Sequence, residues 1–209
     1  MTGMALLDDA DRQRIEAAIG ALEQRTQAEV VVAIVKRSTH AWLPRAVVAF
    51  AAALSAGLGF LEGLPNVDGR FSLFVELVVG FAVFALCGLP PVERLLVSRA
   101  EARREVEERA FALFARHGIY RTRAHTGVLL LVSELERHVV ILGDRAIHGR
   151  LGQAGWQSHI DHLLLAIRRG EAARGILEVL ERLAGVLAEL APAGEQNDDE
   201  LPNAVIEEP

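Results

Sequence analysis

The sequence predicts an α/β domain, its sheet covered by helices, that is interrupted by a two-helix transmembrane hairpin. Three observations predict it. Glu29–Arg37 is a nearly continuous β-branched run, the pattern of a strand buried on both faces. Residues 125–144, HTGVLLLVSELERHVVILGD, hold two more β-type runs, Gly127–Val132 and His138–Leu142, on either side of the charged stretch Ser133–Arg137. Between the first strand and these two, AVVAFAAALSAGLGF and FVELVVGFAVFAL are apolar on every face.

The 209 residues leave room for one domain with a modest core and an attached membrane element. The apolar share is 51% and the mean hydropathy +0.26, high for a soluble domain, and the excess lies in one block, Ala46–Leu89. Net charge is −6, which gives no reason to expect nucleic acid as a partner. The single cysteine, Cys87, lies inside the second apolar run, so neither a disulfide framework nor a cysteine metal site can form within one chain. The N-terminal MTGMALLDDADRQRI shows neither the basic region nor the apolar region of a secretory signal.

In chain order, Asp8 or Asp9 caps a first helix whose stripe is Ile15, Ala18, Ile19 and Leu22. The strand Glu29–Arg37 follows, and then the apolar block. Ala46–Leu61 and Leu77–Val92 each give sixteen residues without a charge, near the short end of what a spanning helix needs. Spans of 46–64 and 71–89 reach nineteen residues each and place Glu62 and Glu76 toward the same, loop-side end. The connection EGLPNVDGR is rich in turn formers. Glycines 57, 59, 80 and 88 inside the runs are better tolerated in lipid than in water.

Orientation follows from the flanking cations. Lys36, Arg37 and Arg45 precede the first span, and Arg94, Arg99, Arg103 and Arg104 follow the second, while the loop has only Arg70 beside Asp68. Both long flanks, and so both termini, are expected on the cytoplasmic side of a bacterial-type inner membrane, with Trp42 at the interface. The two halves of the soluble domain then meet on one side.

A long charged helix is expected from Val92 to His117, buried through Val106, Ala110, Leu113 and Phe114 and ended by Gly118. Beyond the β-hairpin come helical stretches around Asp144–Leu151, Trp156–Arg169 and Glu171–Leu190. Pro192 stops the last. The remainder, residues 192–209, has six acids and no base and is expected to be a disordered acidic tail.

This order of elements resembles the TPM domain family, named for plant thylakoid and photosystem-repair proteins and a worm receptor modulator. The resemblance rests on Thr26–Glu29 leading into the strand, on Gly118–Ile119, and on Gly127–Val128–Leu129–Leu130. It covers most of residues 6–190, split as 6–37 and 92–190, with the hairpin as an insertion. It implies a compact α/β sandwich, a mixed sheet flanked by helices, usually tethered to a membrane. Family members include divalent-cation binders, phosphatases, and assembly or accessory factors. Typical members carry an Asp in a V-N-D-like segment just before the first helix; here only Asp8 and Asp9 lie nearby. Typical members also face the exported side, opposite to the orientation read from the charges here.

Among candidate chemical groups, Asp144 is the best placed acid, because ligands of open α/β sheets bind near the carboxyl ends of strands. Asp8 and Asp9 would join it in an oxygen-ligand site for Ca²⁺ or Mg²⁺ if the first helix starts at the same rim. The competing expectation is that all three are N-terminal helix acids satisfying free N–H groups and the dipole. The histidines of HIDH, His159 and His162, with His148 upstream, read as polar-face residues, since zinc needs three or four converging ligands. Glu134, Glu136 and Arg137 read as solvated turn charges, and Ser133 has no activating neighbour in sequence. Glu76, five residues into the second span, is by position a candidate ion or proton site. The role expected is a non-enzymatic accessory or assembly factor in the bilayer, bound to another membrane protein or to itself. A metal-dependent phosphatase using Asp144 and an ion-conducting oligomer using Glu76 are the alternatives.

Overall fold

The computed structural model describes residues 6–39, 41–63, 68–194 and 200–208. The elements run α1 (Asp9–Glu23), β1 (Val30–Val35), α2 (Trp42–Gly63), α3 (Gly69–Cys87), α4 (Pro90–Leu96), α5 (Arg99–Arg116), β2 (Val128–Ser133), β3 (His138–Gly143), α6 (Arg145–Arg168), α7 (Ala172–Leu190) and β4 (Ile206–Glu208). They fall into two compact units. Thr39–Ala102 is one, and the chain up to Ser38 joins Arg103 onward in the other.

The split unit is a mixed four-stranded sheet in the order β3-β2-β1-β4. β1 and β2 are parallel with Val30 opposite Val128, whereas β2 and β3 are antiparallel with Ser133 opposite His138. β1 and β2 are buried along their whole length, because successive side chains feed two different cores. Val30, Val32, Ile34, Val128, Leu130 and Val132 face Ile15 and Ile19 of α1, Trp156 and Leu163 of α6, and Ile176 and Leu180 of α7. Val31, Ala33, Val35, Leu129 and Leu131 face Val106, Ala110 and Leu113 of α5. The result is helix, sheet, helix: the expected sandwich. α7 is held by the stripe Ile176, Val179, Leu180, Leu183 and Leu187, at the i, i+3, i+4, i+7 spacing of an amphipathic helix.

Two expectations are corrected. The long helix is broken at Val97–Ser98 into α4 and α5, because Ser98 Oγ accepts the Glu101 N–H at 3.1 Å and starts a new helix. The tail is not disordered over 200–208: β4 joins β1 in parallel, with Ala33 opposite Ile206. Its acids find cations distant in sequence, Arg12 for Glu207, and Arg109 and Arg116 for Glu208. A smaller difference lies in α6, where Gly152 has φ 64° and ψ 176°; the two expected helices meet there at a kink.

In the other unit, α2 and α3 pack along their length. The candidate spans are Trp42–Gly59 and Gly69–Cys87, with only 11% and 6% of their residues buried. The expected first span ends at Leu64, which lies outside the described residues, as do residues 65–67 of the connection and 195–199 of the tail.

Candidate functional site

β3 is the outer strand on one side of the sheet. Along it lies a cleft of about 370 Å³, walled by His138–Leu142 of the strand, by Arg103, Glu107 and Phe111 of α5, and by Gln157, Ile160 and Leu164 of α6. It forms because helices cover both faces of the sheet but neither reaches around its edge. Phe111 remains 62% exposed. Arg103 Nε donates to Glu107 Oε1 at 2.8 Å at the rim. Burial, aided by Arg103, lowers the pKa of His138, so the imidazole is neutral near pH 7 and offers one donor and one acceptor. An apolar floor, a neutral imidazole and an Arg–Glu pair suit an extended segment with apolar side chains. The lining holds no hydroxyl or thiol nucleophile.

Asp144 caps α6. Its Oδ1 accepts the Arg145 N–H at 2.6 Å, and its Oδ2 lies 3.2 Å from Nδ1 of His125. His125 has a φ of 54°, in the left-handed region that non-glycine residues seldom occupy. The sequence reading missed this pairing. Its signal was the hairpin register, which sets Val128 against Gly143 and so brings the residues before β2 beside the end of β3.

Asp8 caps α1 in a reciprocal box with Asp11, and Asp9 pairs with Arg12. Neither joins Asp144. Arg12 reaches Glu207, which is level with Ile34 near the carboxyl end of β1. Asp144 donates its N–H to Gly127 O, before β2 begins. The acids therefore lie at opposite rims, separated by the six residues of β1, roughly 20 Å of strand. The cause is the direction of β3: being antiparallel, it ends at the amino rim of its neighbours, where the rule for open parallel sheets does not apply. The Ca²⁺ or Mg²⁺ site expected from these three acids does not fit. Among the described residues no three His, Cys, Asp or Glu side chains come together.

His159 is buried rather than on a polar face. Burial, with Arg182 and His162, lowers its pKa. His162 is on the polar side as expected, 2.5 Å from Glu178. Glu136 is no solvated turn charge; it accepts the Ser38 N–H at 3.1 Å and the hydroxyl of buried Ser133. Glu134 is half-buried, and that burial raises its pKa.

In the helical hairpin, Glu76 accepts from Ser72 Oγ at 3.3 Å and turns toward α2, where a side chain at Gly57 would lie 2.6 Å from its Cδ. Arg45 fills the matching notch at Gly88, with its guanidinium 4.5 Å from the Phe84 ring centre. Gly80 sits against Ala53 in between. Small residues let the helix backbones approach, as at membrane helix contacts.

Residues 93–186 match the model of the TPM domain family. The resemblance to the TPM domain is thus borne out over these residues. The match runs from α4 into α7 and leaves out α1, β1 and the apolar hairpin. No curated protein matches significantly. Among solved structures, the BA42 protein of the psychrophilic bacterium Bizionia argentinensis, determined by NMR, is similar in fold. Identity is 18% over 100% of this chain and 99% of that one, with a TM-score of 0.62. The matched residues supply α5, β2, β3, α6 and most of α7 of the split unit, and α1 and β1 come from before the apolar hairpin.

Proposed function

We propose that this chain is a membrane-tethered TPM domain acting as a non-enzymatic accessory or assembly factor for another membrane protein. The observation that carries it is the outward face of α2 and α3. Trp42, Phe50, Leu54, Phe74, Leu77 and Phe81 are all more than half exposed. Burying such a side chain is worth about 1.5–3 kcal/mol, and a contiguous patch of them marks a lipid or protein contact. The cations flanking the two helices support an orientation with both termini in the cytoplasm. The β3 cleft supports docking over turnover, since its lining suits an extended apolar segment.

Alkaline carbonate extraction tests the tether: the chain is expected to stay with the membrane pellet, and recovery in the aqueous fraction would overturn the proposal. Tags at both ends should be inaccessible from outside intact cells. Crosslinking in the membrane followed by capture in detergent should return one membrane protein in near-stoichiometric amount. A lone monomer that hydrolyses p-nitrophenyl phosphate would replace this proposal with the phosphatase alternative.

A further inference from the structure

The other outer edge of the sheet, along β1, is already covered, and the manner of its covering is informative. The segment 200–208 runs the length of β1. Near the amino rim, Leu201 N–H donates to Glu29 Oε2 at 3.1 Å, and Glu200 accepts the Arg123 N–H. Val205 N–H then reaches Glu16 Oε1 at 3.3 Å. At the carboxyl rim, Ile206, Glu207 and Glu208 add a parallel strand, and Lys36 N–H donates to Glu208 O at 3.1 Å. Ile206 packs against the core beneath α5.

Main-chain pairing of this kind carries no sequence information; side-chain pockets supply it. Here three arginines do so. Arg12 of α1 holds Glu207 through Nε at 2.7 Å and Nη2 at 3.1 Å. Arg109 and Arg116 of α5 take the two oxygens of Glu208 at 2.6 and 2.7 Å. In a chain of net charge −6, three cations from two helices converge on two adjacent carboxylates. Planar, charge-assisted contacts of this type are both strong and selective.

We propose that the β1 edge, with Arg12, Arg109 and Arg116, is a docking site for an extended acidic peptide of a partner protein, an aliphatic residue followed by two carboxylates. The chain's own Ile206–Glu208 occupies it as a competing ligand in cis. The occupant is chosen by charge complementarity and by the segment already seated there. This inference names a surface for the accessory role and depends on that role for the existence of a partner, but the chemistry of the edge is independent of it. Failure of membrane extraction would remove the tether and leave the peptide site untouched.

The test uses the full chain in detergent and a fluorescein-labelled peptide of residues 200–208, ELPNAVIEE. A ligand on a short tether acts at an effective concentration in the millimolar range, so the parent should bind weakly. The double variant Glu207→Lys, Glu208→Lys should bind about tenfold or more tighter. Adding Arg109→Gln and Arg116→Gln, or exchanging both peptide glutamates for Gln, should remove that gain. A double variant that melts like the parent yet does not bind would overturn the proposal, as would equal binding of the Gln peptide. Should the double variant fold poorly, hydrogen exchange on the parent decides. Saturating peptide should strip protection from the amides of Ile206–Glu208 while Lys36 stays protected; tail amides that remain protected would refute the exchange.

Discussion

Gly127→Ala tests the close approach of Gly127, at the entry to β2, to Ile119. A Cβ at Gly127 would fall inside contact distance of the Ile119 carbonyl oxygen, 2.7 Å from Ile119 Cγ2 and 3.0 Å from its carbonyl carbon. Ile119 is fully buried, and the obstacle is backbone, so no rotamer change relieves it. The Gly127 carbonyl also accepts the Asp144 N–H at 2.8 Å, tying the strand entry to the start of α6. Overpacking costs about 1–3 kcal/mol, and a backbone obstacle puts this case near 3 kcal/mol. In a chain of this size each kcal/mol lowers Tm by roughly 2–4 °C, so the expected loss is about 6–12 °C. Thermal unfolding of the purified chain, followed by the fluorescence of buried Trp156, measures it. Gly149→Ala is the control: a Cβ there meets nothing within 4 Å, and replacing a helical glycine is worth up to about 1 kcal/mol in the stabilising direction. If both variants melt within a degree of the parent, the close approach of Gly127 and Ile119 is wrong.

Three other outcomes are expected. Ca²⁺ or Mg²⁺ at 10 mM should leave Tm unchanged, whereas a site with a Kd of about 0.1 mM would add roughly 2.7 kcal/mol; a rise that Asp144→Asn abolishes would restore the metal site. His159 has a folded pKa below its unfolded value near 6.5, so the unfolded chain binds the extra proton and stability falls as pH drops below about 6.5. The Tm loss between pH 7 and 5 should be shallower in His159→Gln, with a ceiling of about 1.4 kcal/mol per pH unit for one proton; equal slopes would discard the burial argument. Glu76→Gln should leave ion flux in proteoliposomes unchanged, since Glu76 is turned toward the Gly57 notch of its own hairpin; a changed flux would favour the conducting oligomer.

The elements with local signals were legible. β1 and β2 announced themselves by continuous β-branched and aliphatic runs and α1 by its stripe of Ile15, Ile19 and Leu22, whereas the kink at Gly152 joins two stretches that read as separate helices. The break at Ser98 had a signal too, the S-x-x-E of Ser98–Glu101, which was overridden by the charged helical pattern around it. β4 had none, because three residues in an acidic tail look unstable until Arg12, Arg109 and Arg116 arrive from elsewhere in the chain. Asp144 was located correctly on its strand end, but strand direction is a tertiary property. Its partner His125 and its separation from Asp8 and Asp9 both follow from β3 being antiparallel.

The parallel pairing of β1 with β2 has a bearing on synthesis. Val30 meets Val128, about a hundred residues later in the chain, and everything between, both apolar helices included, emerges first. At 5–20 residues per second, a strand with no polar face waits roughly 5–20 s for its neighbour. Closure of the sheet therefore waits on the synthesis of β2, and a nascent chain stalled before that point would present β1 bare to the cell's holdases.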